Sequence, residues 1–392
     1  MPAKKDLISL AKVQIAMNEF KLPFNARLTF TLFSIILVIY IAHTGSNIII
    51  PLTFATLIAI GLLPVVHQLE KWRFPRGLAA FLAVLLFIIM IGLVTMLLGT
   101  QMASFISDFP TLEQKLFQLI ANTQDWINHQ FHVDSGTQLS YIEKAMAGTI
   151  GTATSFISQT FLSVSSLLVF IVFMFLYAFF ILYYRRLLIA FLIGLFTEEH
   201  RDKLLKVIAS TRSVIKSYLG GLVIEMVIVA VLNTTVFLIL GIKYAILLGV
   251  MAAIFNIIPY VGILTAAVLT ILVTLATGTP VQALQAGIVL FLVHLLDSNV
   301  LFPSIVGSKV RINALVTIIG VVLGNMLWGI PGMFLAIPII AIIKIICENI
   351  PEVTPWVLLL GDETSPSKRI KQVKEQKEKT AEENIDNIDP KE

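Results

Sequence analysis

The chain has 392 residues, 57% hydrophobic and 13% charged, with a mean hydropathy of +0.91, where an ordinary soluble domain carries about 25% charged residues. The depletion excludes such a domain, because long charge-free runs alternate with short charged loops, the pattern of a polytopic α-helical membrane protein. The net charge of +4 reads as loop bias, with no nucleic-acid partner, and the lone cysteine, Cys347, excludes an internal disulfide framework.

Residues 1–27 carry Lys4, Lys5, Lys12, Lys21 and Arg27, which places this segment in the cytoplasm. No cleavable signal peptide is read, since the first apolar run leads into another span. Residues 28–100 hold spans at about 28–44, 48–66 and 78–100. The turn HTGSN (43–47) has no Lys or Arg and falls outside, whereas Lys71, Arg73 and Arg76 bring the next loop back inside. Residues 101–159 are acidic on balance and read as a small external helical insert, with Leu112, Leu116, Leu119 and Ile120 at helical spacing. His129 and His132, with Asp125 a turn earlier, could touch a metal, but a solvated helix face is the better reading, so no metal or other cofactor is assigned.

The transmembrane core follows over 160–360. A span at 160–184 ends on YYRR, and 197–218 reads as a basic amphipathic helix with Thr197 as N-cap. That helix lies on the cytoplasmic surface or packs under the bundle. Further spans fall at 219–240 and 281–301, so the intervening run 245–277 starts and ends outside. The uncharged stretch 246–277 would be roughly 48 Å long as one straight helix, well beyond a hydrocarbon core of about 30 Å, and Asn, Pro and Gly sit at its centre in FNIIPYVGIL. A re-entrant hairpin with its tip at Pro259 to Gly262 fits, and two short crossings are the alternative. The run 312–347 repeats the pattern from the inside, broken around WGIPGMFLAIP. Paired, interrupted, oppositely oriented segments point to a transporter site near the midplane, although Pro-kinked helices would also give such breaks. Residues 361–392 form a charged cytoplasmic tail. Trp356 reads as an interfacial anchor, and Lys344 is expected to snorkel to the cytoplasmic surface.

Ionisable groups at membrane depth are costly and tend to face a bundle interior. Three stand out as ion-coupling candidates: Glu225, His294 and Asp297, the last two sharing a helix face. A proton relay or cation site is one reading of Asp297, and a brace at a helix end is the other. Asn233 reads as polar glue between helices or as pore lining. No phosphate-binding G-x-x-x-x-G-K-[ST] loop, H-E-x-x-H or G-x-S-x-G occurs, so neither an ATP motor nor a recognisable enzyme is carried.

The stretches NIIPYVGIL, LDSNVLFPSIVGSKVRINAL and GIPGMFLAIP resemble the autoinducer-2 exporter family of permeases over about residues 28–360. The matching positions are Pro259, Tyr260 and Gly262, then Asp297, Asn299, Pro303 and Gly307, then Gly329, Pro331, Gly332 and Pro338; Ser298 stands where many relatives have a second Asn. The resemblance implies a homo-oligomer, with a pentamer as one form, in the bacterial inner membrane, moving a small polar solute or exchanging monovalent cations for protons; the Lys and Arg counts place both termini in the cytoplasm. The fold expected is an all-α transmembrane bundle with two oppositely oriented re-entrant hairpins and a small external insert. The substrate-binding set is Asn256, Pro259, Tyr260, Gly262, Asp297, Asn299, Gly329, Pro331 and Gly332. The function expected is secondary transport, with a Na⁺/H⁺ antiporter of the same fold or a non-transporting envelope scaffold as alternatives.

Overall fold

A computed structural model describes residues 23–131, 168–258, 261–307, 312–350, 353 and 355–361. The expected elements at Pro259, Tyr260, His132, the second half of the insert and the charged tail lie outside the described residues. The chain divides into two units, at Ile49 and Ile50. The first contains α1 (Phe24–Thr44), which turns at Gly45, where the amide of Gly45 returns to the carbonyl of Ile41 at 2.8 Å.

The second unit is an all-helical bundle. Its elements are α2 (Ser46–Lys71, beginning just before the unit), α3 (Arg76–Phe131), α4 (Leu168–Tyr183), α5 (Arg185–Gly194) and α6 (Glu198–Ile239). Then come α7 (Ala245–Phe255), α8 (Val261–Thr277), α9 (Pro280–Leu296), two π-helical turns (Asp297–Leu301 and Pro303–Gly307), α10 (Ala314–Trp328), α11 (Ile330–Asn349) and α12 (Pro355–Leu360). Five helices among the described residues are long and apolar enough to cross a membrane, or six if the bent pair α4–α5 is one span.

Several boundaries differ from those read in the sequence, each for a local reason. Past the membrane-length stretch Arg76–Asp108, α3 carries on helically through Pro110 to Phe131, so the first part of the expected insert continues the third helix. The fourth ends at Tyr184, where the sequence placed its end, and α4 there gives way to α5 through a turn of 71°. The basic segment 197–218 is no separate surface helix; it is the first half of α6, which continues without a break into the span. Thr197 takes the N-cap position with extended backbone, but its hydroxyl faces His200 Nδ1 at 2.9 Å and caps no amide. Lys344 is buried on α11, its Nζ 3.9 Å from Glu348 one turn nearer the helix C-terminus.

Small residues let the helices approach. Ala55 and Ala59 of α2, Ala79, Ala80 and Ala83 of α3, and Ala178 of α4 form one core, the packing expected where lipid removes the hydrophobic drive between helices. A second core gathers Phe237, Leu248, Ala266, Val273, Ala286 and Leu290 from α6 to α9. Leu57, Ile215 and Leu335 join α2, α6 and α11. At the charged end of this frame, Arg185 Nη2 donates to both carboxylate oxygens of Glu70, at 2.6 and 2.7 Å, while its Nη1 reaches the Leu182 carbonyl at 3.4 Å.

Both interrupted runs fold back as helical hairpins. In the first, α7 ends at Phe255 and α8 starts at Val261; Gly262 lies so close under the Phe255 carbonyl that a side-chain carbon there would overlap it. At 11 residues α7 is about 17 Å long, too short to cross. The second hairpin turns at Gly329 alone, whose φ of 63° is left-handed, a conformation that glycine adopts freely. Pro331 and Gly332 already belong to the first turn of α11, and the helix continues through Pro338. Gly324 and Gly332 face each other backbone to backbone, which draws α10 and α11 together.

Candidate functional site

Three elements converge on one buried polar cluster. On α6, Tyr218, Leu222 and Glu225 are spaced i, i+4 and i+7, which sets them on one face. The α7–α8 break supplies Asn256, whose own amide still closes the helix on Ala252 O at 3.0 Å, leaving its side chain available. Asp297 stands where α9 loosens into wider π turns, a local irregularity common at functional sites.

The Asn256 side-chain amide bridges the two acids. Its Nδ2 donates to Asp297 Oδ2 at 2.8 Å and, more weakly, to Glu225 Oε1 at 3.4 Å. Both acids are almost sealed from solvent, Glu225 at 6% and Asp297 at 4% exposure. The second oxygen of each, Glu225 Oε2 and Asp297 Oδ1, has no hydrogen-bond donor, and neither does His294 Nδ1 have a partner. A cavity of about 250 Å³ is lined by Tyr218, Glu225, Asn256, His294, Asp297 and Ser298, with Ile337 of α11 on one wall. Buried carboxylate oxygens without donors are expensive.

Asn256, Glu225, His294 and Asp297, each singled out in the sequence, come together around this cavity. Asn299 does not join them: it is exposed, and its Nδ2 returns to the Leu295 carbonyl at 2.8 Å. Gly262 shapes the first break without lining the cavity, and Gly329, Pro331 and Gly332 do not line it either. The first break instead meets the flank of the second hairpin, where Ile258 packs on Val321, Met333 and Ala336. Sequence reasoning missed Tyr218 and Ser298. Tyr218 was within reach, since it lies seven residues before Glu225 on a helix already recognised; Ser298 had been marked only as a departure from the family pattern. Asn233 is buried on α6 with its Oδ1 unpartnered, outside this cavity.

A multi-pass helical bundle with two broken hairpins and a pair of buried acids around one amide defines a membrane transport protein. The chain belongs to the AI-2E transporter family: the model described as "AI-2E family transporter" matches residues 30–352. It is 28% identical over 318 residues to the Bacillus subtilis (strain 168) protein named "Putative transport protein YueF", covering 78% of this chain and 85% of that one. It is 25% identical over 359 residues to the AI-2 transport protein TqsA of Escherichia coli (strain K12), covering 90% of this chain and 99% of the relative.

Proposed function

We propose that this protein is a secondary transporter of the bacterial inner membrane that moves a small polar solute, with the ion gradient engaged at Glu225, Asn256 and Asp297. The observation that carries this reading is the shared amide: two sealed carboxylates, each with one oxygen lacking a donor, open onto the same cavity. A proton or monovalent cation taken up there would change the charge of the cavity, and so the cost of exposing it to either side. The solute is of the class that an autoinducer-2-like molecule represents, small and rich in hydroxyls, in keeping with the name of the relative TqsA. On this reading α7–α8 and α10–α11 are re-entrant hairpins of opposite orientation; the shortness of α7 supports the first. Both termini are cytoplasmic, and the assembly is a homo-oligomer.

Reconstituted vesicles test the reading. Asp297→Asn and Glu225→Gln should each abolish ion-dependent solute flux while leaving the purified protein folded. Flux and ion dependence equal to the parent in both variants would remove these residues from the coupling role. A second reading, cation/proton exchange without a solute, is favoured by the presence of two acids where one would suffice for a brace. A pH-sensitive dye inside solute-free vesicles separates the two, because only an exchanger moves the internal pH when Na⁺ is added.

A further inference from the structure

We propose that the groove between the last turns of α2 and the first turns of α3 is a binding site for an anionic glycerophospholipid, its headgroup held by Arg73 and Arg76. The groove encloses about 570 Å³ and is walled by Pro64, Leu69, Leu82 and Leu86, with Gln68 and Trp72 towards its charged end. Between Arg76 and Leu86 the helix rises about 15 Å, the depth of one leaflet of a roughly 30 Å hydrocarbon core. An acyl chain laid along Leu82 and Leu86 therefore brings its headgroup level with the α2–α3 turn.

That turn is arranged for an anion. Lys71, Arg73 and Arg76 are all exposed, and among the described residues no ion pair involves them. Glu70, the acid that precedes Lys71, is already engaged through both its oxygens by Arg185 Nη2, so among the described residues no carboxylate is paired with the cations of the turn. Arg73 takes its left-handed φ of 67° as the residue that closes α2, with the Phe74 amide returning to the Leu69 carbonyl at 3.3 Å and its own amide to Glu70 at 3.0 Å, which fixes the backbone of the turn. Trp72 is 65% exposed beside it, and an amphipathic ring of this kind settles at headgroup depth. The Gln68 amide sits where the glycerol ester region would fall. A phosphatidylcholine headgroup would set its ammonium against the same arginines, so phosphatidylglycerol is the preferred occupant.

Native mass spectrometry of the purified full chain, titrated with dioleoylphosphatidylglycerol and with dioleoylphosphatidylcholine, tests the site. The expected result is a preference for the anionic lipid of tenfold or more, falling to near parity in Arg73→Gln/Arg76→Gln with an unchanged thermal midpoint. Leu86→Trp, which fills the acyl slot and leaves every charge in place, should weaken phosphatidylglycerol binding; it decides the matter if the double variant loses its fold. Equal retention of the two lipids by the parent, an undiminished preference in both variants, or displacement of the lipid by inorganic phosphate at equal concentration would overturn the proposal. So would disulfide pairing between copies at Leu86→Cys in native membranes, since a second copy would then occupy the groove.

Discussion

Replacing Asn256 by Ala removes the one donor shared by the two buried acids. The bond to Asp297, at 2.8 Å, is short and directed at a carboxylate, and such bonds contribute about 1.5–3 kcal/mol. The contact with Glu225, at 3.4 Å, lies near the limit of hydrogen bonding and adds little. Loss of both should therefore cost about 2 kcal/mol, which shifts the ratio of folded to unfolded protein by roughly 30-fold. Reversible unfolding in mixed micelles with rising SDS fraction measures it. A double-mutant cycle with Asp297→Asn isolates the pair, and most of the cost should reappear as coupling energy. If Asn256→Ala stays within about 0.5 kcal/mol of the parent, or if the coupling is zero, the bridging amide contributes nothing and the cluster is not organised as described.

At the second hairpin, Gly332→Ala should destabilise by about 1–3 kcal/mol, because the new methyl meets the Gly324 backbone and overpacking outweighs a helix-propensity gain of about 1 kcal/mol; Gly92→Ala, where a methyl would touch nothing, is the control and should be neutral or stabilising in the same unfolding assay. Glu70→Gln should cost about 2 kcal/mol, between the ranges for exposed and buried pairs, since the side chains of Arg185 and Glu70 are only 16% and 22% exposed. At the α6–α7 corner, Lys243 Nζ at 2.6 Å and the Tyr244 hydroxyl both donate to Asp108 Oδ2 of α3, so Asp108→Ala should broaden the distance distribution between spin labels at Thr100 and Ile239. Hydrogen bonding to Asp108 is the largest influence holding the Lys243 ammonium above its ordinary value; with Asp108 ionised, the pair is therefore intact up to the ordinary lysine value of about 10.4, and on the alkaline side the same broadening should set in for the parent only as pH climbs through the raised value.

The helical class of the bundle and most of its spans were legible in the sequence, because twenty-residue apolar runs and charged loops are direct consequences of the bilayer's dimensions. The polar cluster was legible for a related reason: Glu225, His294 and Asp297 are costly where they stand, so each drew notice alone. What the sequence did not show was which of them meet. Asn256 looked like one polar residue in a broken tip, and nothing in its neighbours indicated that it would reach both acids across 31 and 41 residues of chain. Helix continuity was equally hidden. Basic residues over 197–218 imply water at one end of α6, but charge is no helix breaker, so the change in environment left no mark on the backbone. At Pro338 the reverse holds: proline marks a break, but the residue is buried and the helix continues through it.

The two acids and the amide between them belong to parts of the bundle held in different ways. Glu225 and Asp297 ride on α6 and at the end of α9, and these helices are tied together far from the cavity, where Gln282 Nε2 donates to the Leu240 carbonyl at 3.1 Å. The capping box of Thr279 and Gln282 fixes that corner further. Asn256 belongs to the break of the α7–α8 hairpin, which leans through Ile258 on Val321, Met333 and Ala336 of the other hairpin. On the proposed reading, this division separates a clamp from a moving piece. Withdrawing the hairpin would take the amide from both carboxylates at once and raise the cost of leaving them without a proton or cation; returning it would lower that cost. Movement of the broken hairpin and occupancy of the acids are then linked through a single side chain, which is why a change of about 2 kcal/mol at Asn256 should reach ion dependence as well as stability.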